Sequence, residues 1–157
     1  MQTKEKTYVE ILRSIKALME GEDDLIAALS TVSCELFQAF DHWNWVGFYR
    51  RINEQTLKVG PYQGGHGCLT IDINRGVCGA CVREKSVQLV PDVHAVPHHI
   101  ACSSETRSEI VLPVMDDSGE VVAVLDIDST EENTFDEVDQ KYLEEIVSWV
   151  QPLFASV

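Results

Sequence analysis

The pattern that most constrains the fold is a pair of predicted β-hairpins, each made of two strand-like segments joined by a short polar turn. Residues 43–50 and 57–62 are rich in aromatic and apolar residues and lie on either side of the turn 53–55. Residues 109–115 and 121–127 flank the turn 116–119 in the same way. Paired segments of this kind predict antiparallel strands, so an antiparallel sheet is expected.

Helices are predicted on both sides of these strands. Residues 24–40 carry apolar residues at helical spacing, and residues 136–154 form a second amphipathic pattern of the same period. The further predicted elements are helices over 5–20 and 76–83 and strands over 68–73 and 87–90. The expected class is therefore an α+β fold in which helices at both ends flank a mainly antiparallel sheet.

Length and charge limit the other properties of the chain. With 157 residues and 45% apolar residues, the chain is expected to form a single domain over residues 1–157. The sequence contains neither a long apolar run of membrane-span length nor a signal-peptide pattern at its start, so a cytoplasmic location is expected. The net charge of −14 argues against nucleic acid and membranes as partners.

Strand alternation predicts one polar sheet face. Leu125 and Ile127 take the apolar side of their strand, which leaves Asp126 and Asp128 together on the other side, and Glu109 alternates with apolar neighbours in the same way. Residues expected to share a face in the first strand are Trp43, Trp45, Gly47 and Tyr49. If these strands are neighbours in the sheet, three carboxylates would lie near two aromatic rings, which fits a small ligand with an ammonium and a methyl group. The alternative is that these acids are simply solvated.

The five cysteines raise a separate question, because an odd number in a chain with cytosolic features is a poor match to a secreted disulfide framework. Cys102 lies in residues 91–106, which lack periodicity and are predicted to form a long loop. His98, His99 and Arg107 flank it and are candidates to favour a thiolate. The alternative is a small apolar residue buried under the loop. Cys34 lies opposite the apolar stripe of its helix and is expected to have no role.

Two other cysteine arrangements are open. Cys78 and Cys81 have the C-x-x-C spacing of thiol oxidoreductases, but these motifs open a helix in a βαβ setting. A zinc site from Cys68, Cys78, Cys81 and Cys102 would require separations of 10, 3 and 21 residues, which are not those of a zinc ribbon. No metal site is therefore expected.

A resemblance covers almost the whole chain and is carried by seven short motifs. They are Trp45-Val46-Gly47-Phe48-Tyr49, Gly60-Pro61-Tyr62-Gln63-Gly64, Gly76-Val77-Cys78-Gly79, Val90-Pro91-Asp92-Val93, His99-Ile100-Ala101-Cys102, Arg107-Ser108-Glu109-Ile110-Val111 and Val124-Leu125-Asp126-Ile127-Asp128-Ser129. In this order and spacing they resemble the free methionine-(R)-sulfoxide reductases, which are stand-alone GAF domains. The resemblance implies a six-stranded antiparallel GAF sheet, a homodimer and thioredoxin as the reductant.

The resemblance also implies a role for each matching residue. Cys102 would be the catalytic thiolate, and Cys68 and Cys78 would be the cysteines that resolve it. The implied substrate-binding residues are Glu109, Asp126, Asp128, Trp45 and Tyr49, the two aromatic rings enclosing the methylthio end. The chain departs from the family pattern at Ser103, where Asp is common, at His98, where Gly is usual, and at Cys81, where a small residue such as Ala is usual.

The expected function is reduction of free L-methionine (R)-S-oxide without a metal or organic cofactor. The Cys102 thiolate would attack the sulfoxide sulfur while Glu109 or Asp126 protonates the oxygen, and the resulting sulfenic acid would condense with Cys78 or Cys68. One alternative is a non-catalytic GAF sensor that binds a small ligand in the same pocket. Another is a thiol oxidoreductase centred on Cys78 and Cys81.

Overall fold

The computed structural model describes residues 2–97 and 102–156. The helices are α1 (Gln2–Leu18), α2 (Leu25–Ala39), α3 (Gly76–Glu84) and α4 (Glu137–Val150), and two short 3-10 helices cover Val93–Ala95 and Gln151–Ser156. The strands are β1 (Trp43–Arg51), β2 (Thr56–Gly64), β3 (Thr70–Asp72), β4 (Gln88–Val90), β5 (Ser108–Met115) and β6 (Val121–Ser129). The predicted α+β fold with a six-stranded antiparallel sheet and helices at both ends is confirmed.

The two predicted hairpins lie side by side at the centre of the sheet, whose strand order is β3-β2-β1-β6-β5-β4. The first strand of one hairpin, β1, pairs with the second strand of the other, β6, so that Gly47 lies opposite Asp126. On the far side of β6, Asp128 lies opposite Glu109 of β5. This register brings the acids of the second hairpin beside the aromatic residues of the first.

One face of the sheet is covered by α1, α2 and α4. Its buried side chains include Val46, Phe48, Leu125 and Ile127, all at 0% exposure. Each such side chain contributes about 1.5–3 kcal/mol through removal of its apolar surface from water. The opposite face packs against α3 in a second, smaller cluster. The larger cluster therefore stabilises the sheet, while the α3 face has room for polar groups.

Trp43 lies on a different face from the one predicted. The alternation rule placed it with Trp45 and Tyr49, whereas its ring stacks on Phe40 at a centroid distance of 4.1 Å in the larger cluster. The cause is a β-bulge, since the β1–β6 register shifts between Trp43 and Trp45. One extra residue in a strand moves the side chains on one side of it to the opposite face.

The last helix is shorter than the predicted span of 136–154. Asp136 caps its N-terminus in a capping box with Asp139, and α4 ends at Val150, where a 3-10 helix begins. Pro152 explains the end, because proline lacks the N–H that an α-helix would use at this position. Across residues 2–97 and 102–156, no helix is long and apolar enough to cross a membrane.

Candidate active site

Three acidic side chains leave the α3 face of the sheet at its centre. Asp126 and Asp128 are alternate residues of β6, and Glu109 lies opposite Asp128 in β5, so all three project to the same side. Glu109 is only 6% exposed and Asp126 only 5%, while Asp128 is partly exposed. Carboxyl groups this deeply buried belong to a functional site more often than to an ordinary surface.

Burial raises the pKa of all three carboxyl groups well above the usual carboxyl range. For Glu109 the charge of Asp128 raises the pKa further, for Asp126 the charge of Glu109 does so, and for Asp128 the charge of Asp126 does so. Like charges at close range cannot all remain ionised in a low-dielectric site. The cluster therefore holds one or more protons at a pH where isolated acids would have lost them.

Part of the cluster is held in place by neighbouring polar side chains. Asn44 donates a hydrogen bond from Nδ2 to Oγ1 of Thr106 at 3.1 Å, and the Thr106 side chain in turn hydrogen-bonds Asp128. The Oδ1 atoms of Asp126 and Asp128 are buried and accept no hydrogen bond from any donor in the described residues. These oxygens are therefore available to a bound cation or donor.

An aromatic wall stands beside the acids. The rings of Trp45 and Tyr49 stack with centroids 5.5 Å apart, and Tyr62 stacks on the other side of Trp45 at 5.2 Å. Gly47 permits this arrangement, because a Cβ there would lie 2.6 Å from Cη2 of Trp45. Gly67 lies against the same wall, where a Cβ would be 3.0 Å from Cζ2 of Trp45 and 3.1 Å from the Tyr49 hydroxyl oxygen. The wall is close-packed and bounds a cavity.

Two cysteines, Cys78 and Cys102, line the cavity. Cys102 forms a disulfide with Cys68, their Cα atoms 5.4 Å apart, and Cys102 lines the cavity. Cys78 is a buried free thiol on the first turn of α3. Its Sγ and one carboxyl oxygen each from Glu109 and Asp126 lie within 4.8 Å of one another. Burial raises the pKa of the Cys78 thiol, and the nearby carboxylates raise it further.

The N-terminus of α3 opens into the cavity. Gly76, Val77 and Cys78 line it, and Arg75 at the N-cap position makes no side-chain capping hydrogen bond. The first N–H groups of a helix lack partners within the helix, and the helix dipole favours negative charge there. The cavity thus combines a cluster of acids, an aromatic wall and a helix N-terminus that suits an anion.

The structure brings the eight predicted site residues into one place. Seven line the cavity, and Cys68 reaches it through its disulfide with Cys102. The seven are Trp45, Tyr49, Cys78, Cys102, Glu109, Asp126 and Asp128. Arg107 does not join them, because its guanidinium pairs with Glu132 at 2.7 Å. His98 and His99 lie outside the described residues.

Several cavity residues had not been singled out from the sequence. His66, Gly67 and Thr106 line the cavity beside the predicted residues, and so does Ser103, which the sequence had marked only as a departure from the family pattern. The glycine-rich run Gly64-Gly65-His66-Gly67, which leads directly into Cys68, is the signal that could have identified the first two. Thr106 is a buried hydroxyl at the end of a loop, and sequence alone offers no sign of its hydrogen bond to Asp128 in β6.

Comparison with known proteins agrees with this geometry. Residues 22–150 match the GAF domain family. The chain is 43% identical over 145 residues to GAF domain-containing protein A of Dictyostelium discoideum, covering 92% of this chain and 90% of that protein. It is 38% identical over 153 residues to the free methionine-R-sulfoxide reductase of Escherichia coli, with coverages of 98% and 92%.

A solved structure is equally similar. The free methionine-R-sulfoxide reductase from Neisseria meningitidis, in complex with its substrate, superposes with a TM-score of 0.91 and is 40% identical, covering 97% of this chain and 90% of that one. The fold and the sequence agree, and the chain belongs to the GAF domain family. Within that family its similarity to free methionine-R-sulfoxide reductases extends over nearly the full length of both chains.

Proposed function

We propose that this protein reduces free methionine (R)-sulfoxide to methionine. The observation that carries the proposal is the placement of the Cys68–Cys102 disulfide at a cavity that also holds three buried carboxyl groups and an aromatic wall. Two curated relatives, from Escherichia coli and Saccharomyces cerevisiae, are named free methionine-R-sulfoxide reductases. The geometry supplies a complementary group for each part of that substrate.

The substrate is a zwitterion with a sulfoxide at its other end, so a buried site must satisfy both charges. Asp126 and Asp128 suit the ammonium, because each has a buried oxygen that accepts no hydrogen bond from the described donors. The N–H groups at the start of α3 suit the carboxylate. Trp45 and Tyr49 suit the S-methyl group. A methionine sulfoxide residue within a peptide lacks both charges and would be rejected.

The proposed chemistry begins with reduced Cys102. Its thiolate attacks the sulfoxide sulfur, and a protonated acid, Glu109 or Asp126, delivers a proton to the sulfoxide oxygen. The raised pKa of both acids supports a protonated form near neutral pH. The hydroxyl group then moves from the substrate sulfur to the Cys102 sulfur as the S–O bond and the new S–S bond break, so that methionine leaves reduced and Cys102 becomes a sulfenic acid. A second thiol then condenses with the sulfenic acid, which releases water and forms a disulfide.

The second thiol is Cys68 in this proposal. Its support is the Cys68–Cys102 disulfide, in which the Cα distance of 5.4 Å lies inside the normal range for a disulfide. Cys78 is the alternative, and its raised thiol pKa makes it the poorer nucleophile. Thioredoxin is the proposed reductant of the disulfide, and the proposed assembly is a homodimer of single-domain chains in the cytoplasm.

The test couples turnover to NADPH oxidation through thioredoxin and thioredoxin reductase, with the R and S epimers of free methionine sulfoxide offered separately. Oxidation with the R epimer alone is expected. Equal rates with both epimers, or turnover of the sulfoxide within a blocked peptide, would contradict the proposed specificity. Binding of the R epimer without turnover would instead favour a non-catalytic GAF sensor.

A further inference from the structure

Among the described residues, the lining of the cavity holds more acidic than basic side chains. Its described lining includes Glu109, Asp126 and Asp128 and contains no Lys or Arg. Asp126 is 5% exposed, and its Oδ1 atom accepts no hydrogen bond from a donor in the described residues. A buried carboxylate in this situation favours either protonation or a cation.

One side of the cluster has the composition of a metal site. Sγ of Cys78 and one carboxyl oxygen each from Glu109 and Asp126 lie within 4.8 Å of one another, and all three residues are buried. Zinc bonds of about 2.0–2.3 Å place neighbouring ligand atoms roughly 3.3–3.8 Å apart, so a closing movement of at most about 1.5 Å would bring the three atoms to bonding distance. Three protein ligands leave a fourth position open.

The donor set selects the kind of metal. A thiolate with two carboxylates suits a borderline ion such as Zn²⁺, whereas Mg²⁺ requires an octahedral set of oxygen ligands. Cys78 is available as a ligand because it is a free thiol, and the disulfide withholds Cys102 and Cys68. A bound dication would also compensate the charges of Glu109 and Asp126.

We infer that the cavity binds one Zn²⁺ ion through Cys78, Glu109 and Asp126, and that the ion competes with the ligand of the cavity. The binding site follows from the geometry alone. The competition rests on the proposed function, in which the acids hold the ammonium of methionine sulfoxide. Zinc then acts as an inhibitor that occupies the substrate site and takes no part in the reduction.

The direct test titrates Co²⁺, a spectroscopic substitute for Zn²⁺, into the full chain with its Cys68–Cys102 disulfide intact. All proteins carry Cys34→Ala, which removes the partly exposed thiol. One equivalent of Co²⁺ should produce a thiolate-to-metal charge-transfer band, and Zn²⁺ should bleach it. Absence of the band, or a band that needs several equivalents, would overturn the inference.

Two variants test the assigned ligands, and a third is their control. Cys78→Ser should abolish the charge-transfer band, and Asp126→Asn should weaken binding at least about tenfold, since even residues that only support a metal ligand are worth about 10–100-fold. Cys81→Ala is the matched control, because Cys81 is also buried but its thiol faces the carbonyl oxygen of Val111. Circular dichroism checks that each variant folds. A band that survives in Cys78→Ser, or that is lost in Cys81→Ala, would refute the assigned ligands.

Competition is measured separately. Free methionine sulfoxide should displace Co²⁺ from the disulfide form, and Zn²⁺ should raise KM without changing kcat in a turnover assay. Co²⁺ binding that is indifferent to the amino acid would leave the metal site in place and overturn its inhibitory role. A protein that binds Co²⁺ but reduces no sulfoxide would contradict the proposed function and not the metal site.

Discussion

Glu109 and Asp128 are directly opposed residues of β5 and β6, and their side chains hydrogen-bond on the same face of the sheet. Ordinary surface pairs keep like charges apart, because opposed like charges destabilise a sheet. Here a shared proton relieves the repulsion. The arrangement stores a proton beside the disulfide, where the proposed reaction uses one.

Replacing Glu109 with Gln keeps the size of the side chain and removes its ability to give up a proton. We expect kcat/KM for free methionine (R)-sulfoxide to fall by about 10²–10⁴ if Glu109 is the proton donor. Steady-state rates across pH measure the effect. Glu105→Gln, which changes an exposed acid outside the cavity lining, is the control and should retain its rate. If the Glu109→Gln variant keeps the parent rate, Asp126 is assigned as the proton donor instead.

Asp126→Asn should raise the melting temperature at neutral pH while lowering activity. The folded-state pKa of Asp126 is raised by burial and by Glu109, so its stabilising contribution is present at low pH and is lost as pH rises through that pKa. Each pKa unit corresponds to about 1.4 kcal/mol, and about 1 kcal/mol shifts Tm by about 2–4 °C in a domain of this size. Calorimetry from acid to neutral pH should show a flatter profile for the variant. A variant that melts lower than the parent at neutral pH would contradict this cause.

Gly67→Ala should weaken substrate binding, because the added methyl group would displace the aromatic wall by a few tenths of an ångström. The added Cβ would press on Trp45 and Tyr49, at 3.0 and 3.1 Å from their nearest atoms. We expect a higher KM with a smaller change in kcat. Gly65→Ala is the matched control, since a Cβ there meets nothing within 4 Å. Equal effects of the two substitutions would place the cause in the loop backbone and not in the aromatic wall.

Single substitutions of the cysteines should show which step of the reaction each one performs. Cys102→Ser should release no methionine, whereas Cys68→Ser should release one equivalent per chain in a single turnover and then stop. Cys78→Ser should continue to turn over with thioredoxin if Cys68 resolves the sulfenic acid. Quench-flow assays of methionine, with thiol titration before and after substrate, distinguish the three. Continued multiple turnover by Cys68→Ser would assign resolution to Cys78.

Cys81→Ala should leave turnover almost unchanged. The Cys81 side chain is fully buried and is absent from the described lining of the cavity, so the cost is one of packing, about 1 kcal/mol. A thiol oxidoreductase centred on Cys78 and Cys81 requires the opposite result. Loss of all activity in this variant, with an intact fold by circular dichroism, would favour that alternative.

Much of this arrangement follows from period-two alternation. The positions of Asp126 and Asp128 opposite Leu125 and Ile127 place the two acids on one face of β6, and the hairpin pattern requires an antiparallel neighbour for each strand. The sequence cannot specify which hairpin strands meet at the centre of the sheet, since that depends on packing between distant segments. The β1–β6 pairing emerged only from the structure, whereas the resemblance had already implied that Trp45 and Tyr49 share a site with the acids.

Two features that the sequence did not predict are a β-bulge and a long-range salt bridge. Alternation placed Trp43 with Trp45, and the β-bulge between them has no signal such as Gly or Pro at that point. Arg107 is next to the cysteine loop in sequence, but its salt bridge to Glu132 is a long-range contact. Proximity along the chain made Arg107 a candidate to favour the thiolate, and the structure instead places its guanidinium against Glu132.

The bulge in β1 places two of the three tryptophans in different environments, where they report on different events. Trp43 stacks on Phe40 within the helix-covered cluster, and Trp45, two residues away, forms part of the cavity wall. Once Trp149 is also replaced by Phe, emission from a Trp43→Phe variant would respond to ligand entry through Trp45, whereas a Trp45→Phe variant would register loss of the core on unfolding. The fluorescence of two tryptophans in one strand can therefore report both ligand binding in the cavity and unfolding of the domain.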